Sequence, residues 1–278
     1  MKGPYFKHQL HPSVQSLVED IATHPHVEGI LLAGSRTAGN EDPLSDYDLY
    51  VYTLQGVPLD FREQLSRKHF QHVELNNTFW EPEDIGIFRG AELQVDLIYR
   101  DVQWMEQMLH RVVVQHEAST GYTTCFWANL LTSVVLFDRN GILSAMQKRY
   151  DVEYPEPLQR NIIRKNFPIL SYSLCSYARA VETAIKRHDP ISIHHRVAGF
   201  LASYFDILFA INKKLHPGEK KLLKIASQQL ELIPKNMVDD ITEILASMLV
   251  PGYPLVIRLR ELSDGLKELL HESEHLYP

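Results

Sequence analysis

The sequence predicts an α+β protein with two domains, an α/β domain over residues 1–153 followed by an all-α helical bundle over residues 154–278. Strand patterns are concentrated in the first half, and the clearest is the apolar run Val27–Ala33. Residues 154–157, YPEP, contain two prolines that would interrupt a helix, which favours a domain boundary there. Beyond this point strand patterns nearly vanish and helical periodicity replaces them.

Composition limits the class of protein. The chain has 278 residues and a mass of 32.1 kDa, enough for two ordinary domains. Hydrophobic residues make up 45% and charged residues 23%, which is typical of globular proteins and argues against disorder. The formal net charge of −7 does not favour nucleic acid as a partner, because backbone binding normally needs a basic surface.

Cysteine use and hydropathy predict a cytoplasmic protein with no membrane association. The two cysteines, Cys125 and Cys175, show no paired metal-ligand spacing and no secreted disulfide pattern. The first fifteen residues lack the apolar core of a signal peptide. No window approaches the roughly 18 apolar residues that a membrane span needs.

The first predicted helix begins at an N-cap, Ser13, and ends at His24-Pro25. Its buried stripe has the i, i+3, i+4, i+7 spacing and consists of Val14, Leu17, Val18 and Ile21. The continuous apolar run that follows, Val27–Ala33, predicts a central strand.

Two further strands are predicted at Leu49–Thr53 and Ala91–Tyr99, with a helix from Pro58 to Lys68 between them. In Ala91–Tyr99 the odd-numbered side chains from Leu93 onward are apolar. The opposite face is polar and carries Glu92, Gln94 and Asp96, because strand side chains alternate.

The remaining signals of the first half are less regular. Val73 and Leu75 alternate with polar residues and predict a strand, whereas residues 80–86, WEPEDIG, predict a loop. The last expected elements of this half are a helix over Val102–Glu117, a strand over Ser133–Phe137 and a helix over Ile142–Tyr150.

The second half predicts a helical bundle. The first expected helical stretch has a kink or break at Pro168, because proline removes a helical hydrogen bond. The expected helices are Leu158–Arg187, Pro190–Leu215, Lys220–Leu232, Asn236–Leu249 and Pro254–His271.

The stretch Ile30–Thr53 carries the strongest functional signal. Gly34-Ser35 directly follows a strand, and such a turn lets backbone N–H groups approach a phosphate. Asp46 and Asp48 are one residue apart at the start of the next strand, so both side chains face the same way. A divalent cation would relieve the repulsion between them, which predicts a metal–nucleotide site. Asp96 adds a third carboxylate within an apolar strand, either for this site or for a structural ion pair with an arginine.

Together, Gly34-Ser35, Asp46-Tyr47-Asp48 and Asp96 resemble the motif of the DNA polymerase β-like nucleotidyltransferase superfamily. The resemblance covers about Val27–Tyr99. An α/β domain followed by a helical bundle is similar to the small antibiotic nucleotidyltransferases, which modify aminoglycosides or lincosamides. The resemblance implies a nucleotidyltransferase-type domain with a mixed sheet.

The resemblance also implies roles for individual residues. Asp46, Asp48 and Asp96 would be the catalytic carboxylates and would hold one or two Mg²⁺ ions, while Gly34 and Ser35 would contact nucleotide phosphates. Three further residues are candidates for phosphate contacts. Arg36 would reach phosphate oxygens or remain a surface arginine, and Lys220 or Lys221 would reach the triphosphate or belong to a solvated turn.

The acceptor side of the site is less well defined. Glu92 and Gln94 would line an acceptor pocket or simply complete a solvated strand face. A general base is needed for the acceptor hydroxyl, and Asp96 and Glu182 are both candidates. Glu182 also fits an ordinary surface position on a helix.

The predicted function is a Mg²⁺-dependent nucleotidyltransferase that moves AMP from ATP to a hydroxyl of a small, aminoglycoside-like acceptor and releases pyrophosphate. The acidic net charge is compatible with a cationic acceptor. Transfer to a protein or RNA acceptor, and a non-catalytic nucleotide-binding module, stay open as alternatives. A homodimer is also open, because some relatives build their site across a dimer.

Overall fold

The computed structural model describes residues 10–37, 46–248 and 250–272. The chain forms two compact units. The first contains the described residues up to Leu109 together with Asn129–Val152, and the second contains His110–Ala128 together with the described residues from Glu153 onward. A compact unit need not fold on its own, so the predicted division into domains 1–153 and 154–278 stays a prediction. The single predicted boundary assigned residues 110–128 to the first domain, whereas the structure groups them with the second unit.

A six-stranded sheet forms the centre of the first unit. Its strands are β1 (Val27–Ala33), β2 (Tyr47–Thr53), β3 (Phe70–Asn77), β4 (Glu83–Phe88), β5 (Gln94–Asp101) and β6 (Val134–Asp138). Their order is β3-β4-β5-β2-β1-β6. The β2–β5 pair is parallel and the other neighbouring pairs are antiparallel, so the expectation of a mixed sheet and an α+β class is confirmed.

One face of this sheet forms the core of the first unit. The helices of the first unit include α1 (Pro12–Ile21), α2 (Leu59–His69), α3 (Val102–Leu109) and α5 (Ile142–Tyr150), and α4 (Cys125–Thr132) contributes residues to both units. The predicted stripe of α1 is fully buried and packs in one cluster with Leu49, Val51 and Leu97 of the sheet. The alternate residues of β2 and β5 therefore face the other side of the sheet.

Several predicted boundaries were wrong. The N-cap of α1 is His11, whose side chain accepts the backbone N–H of Ser13, because Pro12 occupies the first helical position. Residues 83–86 were predicted as loop but belong to β4, where pairing with β5 outweighs Pro82 and Gly86 as loop signals. The α-helix predicted over Val102–Glu117 ends at Leu109 and continues as a π-helical turn.

The second unit is helical, as predicted. Its helices from Glu156 onward are α6 (Glu156–Phe167), α7 (Tyr177–Lys186), α8 (Pro190–Ile211), α9 (Leu222–Gln229), α10 (Met237–Ser247) and α11 (Tyr253–Glu272). The predicted interruption at Pro168 is confirmed, because a π-helical turn, Pro168–Tyr172, follows α6. Leu249, the predicted end of α10, lies outside the described residues.

The apolar centre of the second unit surrounds α8. Phe200, Tyr204 and Leu208 of this helix are buried among side chains from α7, α10 and α11. Among the described helices, none combines the length and the hydropathy that crossing a membrane requires.

Candidate functional site

Three carboxylates meet on the face of the sheet opposite the core of the first unit. Asp48 on β2 is the direct register partner of Asp96 on the parallel strand β5, so their side chains lie on one face. Asp46 immediately precedes β2 and joins them. Each of the three half-buried residues offers one oxygen, and these oxygens lie within 4.8 Å of one another. The pattern of two alternate aspartates and a third on another strand is thus brought together in space.

Gly34 lies directly against this cluster. It follows β1 and begins a 3₁₀ turn, Gly34–Arg36, with φ of +73°. A Cβ atom on Gly34 would lie 1.8 Å from Oδ2 of Asp48. Glycine is therefore required both for the backbone conformation and for the space that the Asp48 carboxylate occupies.

Arg36 fixes the chain at the start of β2. Its Nε donates a hydrogen bond to the carbonyl of Asp46 at 2.9 Å, and its guanidinium lies 4.0 Å from the ring centroid of Tyr47. These contacts fix the backbone at Asp46 and Tyr47, which precedes Asp48. A contact of Arg36 with phosphate stays a prediction, as does that of Ser35, whose side chain lies outside the described residues.

Gln94, two residues before Asp96 on β5, contacts the Asp96 carboxylate. Its amide Nε2 donates to Oδ1 of Asp96 at 2.9 Å. A hydrogen-bonding partner of this kind orients a carboxylate that binds a metal. Gln94 and Glu92 are both exposed, and their predicted place in an acceptor pocket stays a prediction.

A buried arginine supports the same face further along the strands. Arg100 is only 5% exposed, donates to both carboxylate oxygens of Glu81 at 2.8 and 2.7 Å, and lies over the Tyr50 ring at 3.8 Å. Burial raises the pKa of the Tyr50 hydroxyl, and nearby Asp48 raises it further, although Arg100 opposes both. This network holds the Arg100 guanidinium in a fixed position on the same strand face as Asp96.

Glu83 is a fourth carboxylate of this face that the sequence prediction missed. It is 9% exposed and lies opposite Ile98 in the β4–β5 pair. Burial raises the pKa of its carboxyl, and the negative charge of Asp96 raises it further. The signal was the alternation in residues 83–88, EDIGIF, which Pro82 and Gly86 obscured.

The other predicted residues belong to the second unit. Glu182 on α7 forms ion pairs with Lys186 at 2.7 Å and Arg260 at 3.0 Å, and the hydrogen bond from Lys186 is the main cause of its lowered pKa. A carboxylate that is held by two cations fits the surface role better than that of a general base. Lys220 and Lys221 are exposed in the turn before α9, where Lys221 has a φ of +56°. Their predicted contact with a triphosphate stays a prediction.

Comparison with known proteins gives distant matches. Residues 125–222 match a family model described as a domain of unknown function, DUF4037. No curated protein matches the sequence. The chain is similar to the crystal structure of a nucleotidyltransferase-like protein from Exiguobacterium sibiricum 255-15, with 15% identity and a TM-score of 0.43. That match covers 94% of this chain and 74% of the other. A likeness this distant carries no conclusion about the activity of this chain.

Proposed function

We propose that this protein is a Mg²⁺-dependent nucleotidyltransferase that moves AMP from ATP to a hydroxyl group of a small, aminoglycoside-like acceptor and releases pyrophosphate. One observation carries the proposal. Asp46 and Asp48 are one residue apart and Asp96 lies on another strand, yet each of the three offers an oxygen within 4.8 Å of the others. Clustering like charges in this way is unfavourable, and a divalent cation would relieve the repulsion.

The donor set fits magnesium. Mg²⁺ prefers oxygen ligands and is commonly bound through one or two carboxylates together with substrate phosphates. Asp46, Asp48 and Asp96 would be the residues that hold it. When bound, the ion supplies positive charge that neutralises the triphosphate and stabilises the charge on the leaving pyrophosphate.

The protein's own groups would bind and orient the nucleotide. The backbone N–H groups of the Gly34–Arg36 turn, beside the carboxylates, would contact a phosphate. Arg36 holds the carbonyl of Asp46 and thereby fixes the direction in which β2 begins. Gln94 orients Asp96 through a hydrogen bond to one of its carboxylate oxygens.

The transfer itself is a substitution at the α-phosphorus. The acceptor hydroxyl loses its proton to a carboxylate, a bond forms between the acceptor oxygen and the α-phosphorus, and the bond from that phosphorus to the bridging oxygen breaks. Pyrophosphate leaves with the bonding electrons. A net charge of −7 favours attraction of a cationic acceptor, which supports an aminoglycoside-like class.

Labelling different phosphates of ATP tests the proposal. The protein is incubated with Mg²⁺ and an aminoglycoside panel, using ATP labelled at the α-phosphate in one series and at the γ-phosphate in the other. Only the α-label should appear on the acceptor, and it should disappear in Asp46→Asn and Asp48→Asn. Asp151→Asn, which alters an exposed carboxylate outside the site, is the matched control.

Three outcomes would contradict the proposal. Transfer of the γ-label would indicate a phosphotransferase. Label on protein or RNA added to the same mixtures, with none on the aminoglycosides, would indicate a macromolecular acceptor. Nucleotide binding without transfer in every mixture would indicate a non-catalytic nucleotide-binding module.

A further inference from the structure

Strand β4 presents two neighbouring acids to opposite faces of the sheet. Asp84 faces the core side, where it accepts hydrogen bonds from Arg62, the Tyr99 hydroxyl and the backbone N–H of Asn76. Glu83 is the adjacent residue in the strand and therefore faces the side of Asp96. The two side chains thus have very different surroundings.

Glu83 is largely buried, yet its carboxylate oxygens still reach water. Only 9% of its surface is exposed. Within the described part of the chain, no group donates a hydrogen bond to its carboxylate and no cation pairs with it. Partial removal of water from such a carboxylate, close to other acids, disfavours its charged form. A carboxyl with a perturbed pKa beside other acids is typical of a functional site.

The register places Glu83 close to the carboxylate cluster but outside it. Asp96 lies opposite Ile85, and Glu83 lies opposite Ile98, so the two acids are diagonal neighbours in an antiparallel pair. Such neighbours are about 7–8 Å apart, a distance that a small ligand can bridge. The raised pKa of Glu83 agrees with this position, because a carboxyl with a raised pKa accepts protons more readily.

The other carboxylates near Glu83 are less suitable as proton acceptors. Glu81 is held by two hydrogen bonds from Arg100. Glu74 lies on the same face, opposite Ile85, but it is exposed on the edge strand β3. Glu83 is thus the largely buried acid beside the cluster that no group in the described part of the chain holds.

We propose that Glu83 is a catalytic residue that accepts the proton of the acceptor hydroxyl. The inference rests on the proposed function. The oxygen–hydrogen bond of the acceptor breaks and its proton forms a bond to a Glu83 carboxylate oxygen. The acceptor oxygen keeps the electron pair with which it attacks the α-phosphorus, and pyrophosphate is the leaving group. The proton returns to solvent when the product leaves.

The test combines stability, nucleotide binding and transfer in the full-length protein. Glu83→Gln should leave Tm unchanged or raise it slightly, because it removes a negative charge that neighbouring acids repel. It should bind Mn²⁺-ATP as the wild type does, because Glu83 lies outside the three-carboxylate cluster. It should lower kcat for AMP transfer to an aminoglycoside by about 10²–10⁴-fold, the usual contribution of a general base. Glu83→Asp should recover part of this loss, and Glu74→Gln is the control that should change neither Tm nor kcat.

The outcomes separate this inference from the proposed function. A lower Tm in Glu83→Gln would indicate a structural role and overturn the inference. An active wild type together with an unchanged kcat in Glu83→Gln would overturn the inference alone. A wild type that transfers no nucleotide to any acceptor would overturn the proposed function, and the catalytic role of Glu83 with it.

Discussion

Asp48 and Asp96 are direct register partners in the parallel pair formed by β2 and β5. Ala33, the last residue of β1, is the antiparallel partner of Asp48 on its other side. The end of β1 and the turn at Gly34 therefore reach the same level of the sheet as the two acids. Like charges directly opposite each other destabilise a sheet, so this arrangement has an energetic cost in the absence of a cation.

Replacement of one partner should reveal that cost. Asp48→Asn should raise the free energy of unfolding in EDTA by roughly 0.2–1 kcal/mol, because it removes like-charge repulsion. In wild type, Mg²⁺ should raise Tm by mass action, with a stabilisation of about 2.7 kcal/mol at one hundred times Kd. That response should be lost in Asp48→Asn and retained in Asp151→Asn. Thermal denaturation with and without Mg²⁺ measures both effects, and an equal response in Asp48→Asn and wild type would contradict the metal site.

Gly34 offers a test with a close internal control. Gly34→Ala should destabilise the protein and abolish nucleotide binding, since a methyl group there would overlap Oδ2 of Asp48. Gly90 has nearly the same backbone conformation, with φ of +77° against +73°, but a Cβ there would meet nothing within 4 Å. Gly90→Ala therefore reports the backbone strain alone, about 1–2 kcal/mol.

Urea denaturation of the two glycine variants gives the comparison. The loss of stability in Gly34→Ala should exceed that in Gly90→Ala, and the difference represents the displaced carboxylate. Equal losses, with Mn²⁺-ATP binding intact in both, would show that the close approach of Gly34 to Asp48 is not needed for the site.

The sequence predicted the parts of this site that depend on local periodicity. Alternation within a strand was enough to place Asp46 and Asp48 on one side and to assign Asp96 to the polar side of its own strand. Pairing of β2 with β5 is a contact between distant segments, and no local pattern specifies which strands become neighbours. The meeting of Asp96 with the other two carboxylates was therefore expected from the family resemblance and not from periodicity.

Glu83 shows why the remainder was missed. Pro82 and Gly86 lie on either side of it and are ordinary loop signals, so no strand was predicted there. In the fold, the hydrogen bonds of β4 to both β3 and β5 outweigh these local preferences. The contrast between Glu83 and Asp84 was also beyond prediction, because it depends on Arg62 of α2 reaching Asp84 across the core face.

Neutralisation of the two neighbouring acids of β4 should change the free energy of unfolding very differently. Asp84→Asn should reduce the free energy of unfolding by about 3–5 kcal/mol, because it leaves the buried Arg62 guanidinium without its anion. Glu83→Gln, one residue away, should be neutral or stabilising. Chemical denaturation of both variants tests the contrast. A loss of several kcal/mol in both would show that Glu83 has a stabilising partner.

Substitution of Lys220 tests whether the second unit contributes to nucleotide binding. If its ammonium contacts the triphosphate, Lys220→Met should raise KM for ATP without a comparable fall in kcat, because the interaction is made equally in the ground and transition states. Lys224 lies within α9 and is exposed, so Lys224→Met controls for the loss of one positive charge. Steady-state kinetics of both variants decide the matter, and an unchanged KM in Lys220→Met would remove this lysine from the site.

Because of a buried acid in the second unit, we expect the free energy of unfolding of the protein to depend on pH. Asp206 on α8 is 1% exposed and accepts hydrogen bonds from the backbone N–H of Thr123 at 3.0 Å and from its hydroxyl at 2.6 Å. Burial raises the pKa of Asp206 to about 6 from the model-compound value of 3.8, although the hydrogen bonds from Thr123 oppose this. The folded protein therefore binds more protons than the unfolded chain between these two values.

The sign of the effect follows from this difference in proton binding. The contribution of protonated Asp206 is fully present below about pH 4 and is lost as pH rises through about 6, a change of about 2–3 kcal/mol in the free energy of unfolding. Asp206→Asn should lack this decline, whereas Asp151→Asn should retain it. Urea denaturation at intervals from pH 4 to pH 7 measures the slopes. Parallel slopes in wild type and Asp206→Asn would mean that Asp206 titrates at the same pH in the folded and unfolded states, which would require its burial to be offset by the Thr123 hydrogen bonds.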